Sequence, residues 1–135
     1  MHYYLLPFLK EESVSRLLED DKFVKDFNSS ISSMNKSTAE KYLSRLNIFR
    51  IFLNKDFDDL TITGLINKIK DGYVDSYSVL SRYCSYLRSS GNISTITIKQ
   101  RVVTVKNFFE YYDIDINPRK FKLKVRLPKA VKRNK

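Results

Sequence analysis

A chain of 135 residues, with 25 Lys and Arg against 15 Asp and Glu, carries a formal charge of +10 and has the length of one domain. Its 42% hydrophobic and 13% aromatic content calls for a packed core, and only 3 Gly and 3 Pro favour long regular elements over a loop-rich fold. The single cysteine, Cys84, excludes an internal disulfide, and without a second Cys or a nearby His there is no metal spacing, so no metal or cofactor is expected and an intracellular, cytoplasmic setting fits best.

Residues 1–10, MetHisTyrTyrLeuLeuProPheLeuLys, are apolar but too short to span a bilayer. They lack a charged start and a small-residue cleavage site, so they read as a packing segment, with no membrane partner. Residues 11–33 read as an uneven helix with Leu17, Leu18, Phe23, Val24 and Phe27 at helical spacing. Asp20 and Asp21 mark a break in it, and the polar, Ser-rich residues 27–35 end it.

Ser37 then opens the clearest helix of the first half. Ser37-Thr38-Ala39-Glu40 reads as a capping box, in which the hydroxyl accepts from an orphan N–H and Glu40 reaches back. Ala39, Leu43, Leu46, Phe49 and Leu53 make its inward stripe, flanked by Tyr42. Thr38, Lys41 and Arg45 share a neighbouring face, within about 60° of one another. That face is either solvated or phosphate-binding. Lys36, just before the cap, tips it towards phosphate, because helix N-termini favour anions.

A short helix is predicted to start near Thr61 or Thr63, bury Leu65, Ile66 and Ile69, and end at Gly72, which suits a left-handed C-terminal position. Asp75 or Ser76 caps the next helix, which carries Val79, Leu80, Tyr83, Tyr86 and Leu87 and stops at SerSerGlyAsn. Cys84 within it reads as a core or half-buried thiol.

Ser94 or Thr95 caps a longer helix with Ile98, Val102, Val105, Phe109 and Tyr112 inward. Its first turns carry Lys99, and its opposite side collects Thr97, Gln100, Arg101, Thr104 and Asn107. Hydrogen-bond donors with fixed positive charge and no acid are what a DNA major groove accepts.

After Asn117-Pro118, basic and apolar residues alternate through Arg119, Lys120, Phe121, Lys122, Leu123, Lys124, Val125 and Arg126. A period of two predicts an extended segment with one edge on protein and the other on phosphates, and disorder beyond Pro128. Residues 119–135 hold nine of the basic residues and no acid. The rest of the chain alternates in blocks: residues 36–50 and 82–106 are positive, and residues 10–27, 55–75 and 110–115 negative. If the two positive blocks share a face, that face is a polyanion site.

Two ordered patterns resemble the core-binding domain of tyrosine recombinases, the phage-integrase and Xer-like family. In the first, Lys36-Ser37-Thr38 leads to Tyr42, Leu46, Phe49 and Phe52. In the second, Ser94, Thr97, Ile98, Arg101, Val102, Val105, Phe108 and Phe109 run at the family's spacing, with Asn117-Pro118 where its domain ends. The resemblance covers about residues 10–130 and implies an all-α fold, a SAM-like bundle of four to five helices with an extended basic tail.

Three regions are expected: the apolar segment 1–10, a helical core-binding domain 11–118, and a basic linker or tail 119–135. Double-stranded DNA is the implied partner, gripped in a clamp whose other half is the catalytic domain of the same or a related recombinase. The helices opening at Ser37 and at Ser94 and Thr95 would face the DNA, and residues 120–129 would cross between the halves. Lys36, Ser37, Thr38, Lys41, Arg45, Ser94, Thr95, Thr97, Lys99, Gln100 and Arg101 are the expected contacts. Arg119, Lys120, Lys122, Lys124 and Arg126 would hold the backbone.

Monomers without DNA and homo-oligomers on it are expected. The paired arginines, His or Lys residues and nucleophilic tyrosine of the family's catalytic domain have no counterpart here. A tyrosine nucleophile needs cations around the scissile phosphate, so this chain alone is not expected to cut DNA. The alternative function is a helical protein-interaction module or a stand-alone regulator of a recombinase.

Overall fold

The computed structural model describes residues 21–129, and among them every regular element is a helix. There are six: α1 (Lys22–Ser32), α2 (Lys36–Asp56), α3 (Ile62–Lys70), α4 (Ser76–Ser89), α5 (Thr95–Tyr111) and α6 (Pro118–Val125). The expectations for residues 1–20, for His2 and for the end of the tail, residues 130–135, lie outside the described residues. The chain divides into two compact units, Met1–Gly64 and Leu65–Lys135.

In the first unit α1 packs against α2, with Val24 and Phe27 buried from one side and Ala39, Leu46, Phe49, Phe52 and Leu53 from the other. Phe27 stacks on Tyr42 at 5.7 Å between ring centroids. At Asp21, where the sequence reads a break, a helix starts, but the Asp21 side chain does not cap its own helix. Its buried carboxylate turns to the start of α3, accepting from the amides of Ile62 (2.7 Å) and Thr63 (2.9 Å) and from the Thr63 hydroxyl (2.6 Å). The Thr63 hydroxyl in turn accepts from the Phe23 amide at 3.0 Å. Two helix starts thus satisfy each other's orphan donors.

The capping box expected at Ser37 is not formed. The cap is Asn35, whose side-chain oxygen accepts from the Thr38 amide at 2.9 Å, so the helix starts at Lys36 and Glu40 sits too far along to reach back. Asn is as good a cap as Ser, and coming first in the chain it sets the start.

The C-terminus of α2 runs into Asp58 (φ 51) and Asp59 (φ 60), two consecutive non-glycine residues in the left-handed region. Arg50, almost fully buried, holds this turn with an ion pair to Asp59 at 2.8 Å, and the Asn54 amide donates to the same oxygen at 2.8 Å. These partners keep the Asp59 carboxyl below its usual range, the Asn54 hydrogen bond most and Arg50 next.

In the second unit α4 packs against both α5 and α6. Asp75 caps α4 through the Ser78 amide, Gly72 takes the left-handed conformation (φ 83), and Ser94 caps α5 through the Thr97 amide, all as the sequence predicts. Tyr83, Leu80 and Leu87 of α4 are fully buried with Val102, Val105, Phe108 and Phe109 of α5. Cys84 is a core residue, its thiol pushed up by burial against the opposing pull of Arg88.

The tail corrects the sequence reading. Residues 118–125 form α6, not an extended segment. Asn117 caps it, its side chain accepting from the amides of Arg119 (2.9 Å) and Lys120 (3.0 Å), and Pro118 takes the first helical position. An extended segment would need a partner strand for its amides; a capped helix satisfies them internally. The helix docks through Val125, 3% exposed, and through the Tyr77 hydroxyl, which accepts from the Asn117 amide at 2.8 Å.

Candidate nucleic-acid interface

Each basic face is built from a helix and its cap. On α2, Lys36, Ser37 and Lys41 are exposed, while Thr38 and Arg45 are half-buried. Lys41 lies three residues from Thr38 and four from Arg45, so these side chains line one face of the helix. The Thr38 amide is already taken by Asn35, so an anion at this helix start would meet the remaining free donors and Lys36.

On α5, Lys99 and Gln100 project into solvent. The Ser94 hydroxyl accepts from the Thr97 amide at 3.1 Å and donates to the Thr97 hydroxyl at 3.0 Å, so exposed Ser94 and half-buried Thr97 build the cap. Thr95 and Arg101 are half-buried. Burial pushes the Tyr83 phenol up, and Arg101 lies near enough for its charge to oppose that push. Thr104 differs from the sequence reading: it is 2% exposed and donates back to the Gln100 carbonyl at 2.9 Å, and so belongs to the core side. The apolar stripe of α5 is wider than five residues, because Phe108 is buried as well, and Thr104 falls within it.

Arg119, Lys120, Lys122 and Lys124 on α6, and Arg126 just after it, are all exposed. The helix distributes them differently from the single edge an extended tail would give. At about 100° per residue Arg119 and Lys122 make one pair and Lys120 and Lys124 another, on different sides. The Lys124 ammonium sits 5.5 Å above the Tyr77 ring, and the Lys106 ammonium 5.8 Å from Phe121. Lys106 also pairs with Glu110 at 3.1 Å.

Two features of this unit escape a reading by sequence neighbourhood. Arg88 donates to the Arg126 carbonyl at 2.6 Å, fixing the chain where it leaves α6 in a left-handed residue (φ 55). A polar pocket of about 290 Å³ gathers Tyr77, Ser78, Ser81 and Arg82 of α4 with Asp75 and Lys124. The spacing of Ser78, Ser81 and Arg82 by three and four marks that face of α4; that Lys124 joins it follows only once the tail is helical.

These groups can hold anions and donate hydrogen bonds. Among the described residues no group of three His, Cys, Asp or Glu side chains could hold a metal, and no helix is long and apolar enough to cross a membrane. The expected contacts on α2 belong to the first unit, and those on α5 and α6 to the second. Compared with known proteins, the chain matches no family model, no curated protein and no solved structure.

Proposed function

We propose that this chain is a DNA-binding domain of an integrase-like recombinase. It would bind duplex recombination-site DNA as one half of a clamp for site-specific recombination or integration, with strand cleavage in a separate tyrosine-nucleophile domain. What supports the reading most is two acid-free basic stretches in the second unit. Residues 82–109 and 116–129 contain no Asp or Glu, and their helices expose Lys99, Gln100, Arg119, Lys120, Lys122 and Lys124. The family likeness of the two ordered motifs supplies the recombinase part of the proposal, and the all-helical fold is compatible with it.

In this reading the two lysine and arginine pairs of α6 neutralise phosphates, which sets affinity and register. Gln100, exposed and amide-bearing, is the side chain suited to a base edge. Neutralising about six phosphates should cost on the order of a thousandfold in affinity between about 50 and 200 mM salt. The experiment is fluorescence anisotropy of a labelled random duplex against the full chain across that range, repeated with Lys120→Glu plus Lys124→Glu. A steep salt slope that becomes shallower in the variant is expected; a flat response in both proteins sinks the proposal.

A further inference from the structure

The second unit has a cleft that DNA binding leaves unexplained. It lies between the first turn of α5 and α6 with the chain that follows, and encloses about 710 Å³. Its floor is apolar: Ile96, Phe121, Leu123 and Leu127 line it. Ile96 and Leu123 are each 62% exposed, two of only four large apolar side chains exposed to that degree among the described residues. Single exposed apolar residues are ordinary, but several converging in one cleft mark a binding surface.

The cleft is also preformed. Its far wall is held where Arg88 grips the Arg126 carbonyl and the Arg126 side chain donates to the Leu123 carbonyl at 3.1 Å. Its rim is cationic, with Lys99, Lys122 and Lys129 among the lining residues and no carboxylate. A phosphate backbone would use the rim and leave the floor wet. An occupant that uses both must carry apolar side chains and negative charge together, with the charge at the edges.

We propose that this cleft docks an acidic amphipathic peptide segment of a partner protein, with Leu or Phe side chains on the floor and carboxylates against Lys99, Lys122 and Lys129. A helical segment with apolar residues at spacings of three and four and Glu between them has that chemistry. The proposal goes beyond DNA binding and does not depend on it.

The test uses the full chain and a fluorescein-labelled helical peptide of about 15 residues, Leu and Phe at helical spacing and Glu elsewhere. Its controls are a scrambled peptide of the same composition and a version with Gln for Glu. The patterned peptide should bind. Ile96→Ser with Leu123→Ser, both exposed and so expected to leave the circular dichroism spectrum unchanged, should weaken it at least about tenfold. The Gln version should bind about tenfold more weakly at low salt.

The same double variant should bind a random DNA duplex as the unmodified chain does, whatever that affinity is. Equal binding of the scrambled peptide, or normal peptide binding by the double variant, overturns the proposal. So does a loss of duplex binding as large as the loss of peptide binding, which would make the cleft part of a DNA surface. Phosphatidylglycerol vesicles that bind with the same sensitivity to the double variant would reassign the cleft to lipid.

Discussion

The two units use polar residues in opposite ways. In the first, the decisive polar groups point inward: the Asp21 carboxylate is buried on two helix starts, and Arg50 is buried against the turn at Asp59. In the second, the buried side chains of α4 and α5 are almost all apolar, and the charges of α5 and α6 stand at or near the surface, with Glu110 the one acid among them. A charged residue is therefore weak support for a binding face until its burial is known. Arg50 adds to the positive block of residues 36–50 on paper, yet its charge is consumed inside the fold.

The contrast can be broken by mutation. The largest effect is expected in the apolar unit, where Phe108→Ala should cost about 4 kcal/mol, read from the denaturant midpoint. Asp21→Ala should cost about 3 kcal/mol, because it strands the Ile62 and Thr63 amides in a buried place. Amide hydrogen exchange should then quicken over residues 22–64 and not over 76–125. Equal quickening in both would show that the inward polar hub serves the whole chain.

Arg50→Met should change stability by no more than about 1 kcal/mol in either direction, since the exposed Asp59 carboxylate is hydrated when the arginine is gone and the buried guanidinium no longer has to be desolvated. A loss several times larger would mean that the turn at Asp58 and Asp59 has no other support.

The smallest effect concerns pH. Asp59 has its carboxyl lowered in the folded state, so its contribution is present above the ordinary carboxylate range and fades as pH falls through the lowered value. Being largely exposed, it should give only a slight extra acid sensitivity, absent in Asp59→Asn.

Much of the fold was legible because local signals agreed. Gly72 announces its place through residue type, Asp75 and Ser94 are each the first of two adjacent capping candidates, and the apolar stripes of α2, α4 and α5 repeat often enough to fix a helical period. The misreadings arose where two local signals competed. At the start of α2, Asn35 and Ser37 are both capping residues, and nothing local says that the earlier one wins.

In the tail, an eight-residue run fits a period of two, while Asn117-Pro118 just before it is a helix start. The cap and the docking of Val125 decided for the helix. Of the expected contact residues, those on α6 were legible as charges but not in direction. Thr104, placed on the polar side of α5, falls in the core because a wheel does not show how wide the packed stripe is. Asp21 gave only the signal of a break. Its role on α3 depends on a fold contact across some forty residues, which no local pattern carries.

The alternation in α6 has a consequence for the chain before it is folded. Released from α4, as during synthesis, Lys120 to Arg126 is a stretch of strand-like alternation with β-favouring Phe121 and Val125, and Leu123 between them, along one side. Pairing with another copy in register would set lysine against lysine along the other side, and like charges placed opposite one another are unfavourable. The same cations that face outward on the folded helix therefore act as gatekeepers against self-association of the unfolded one.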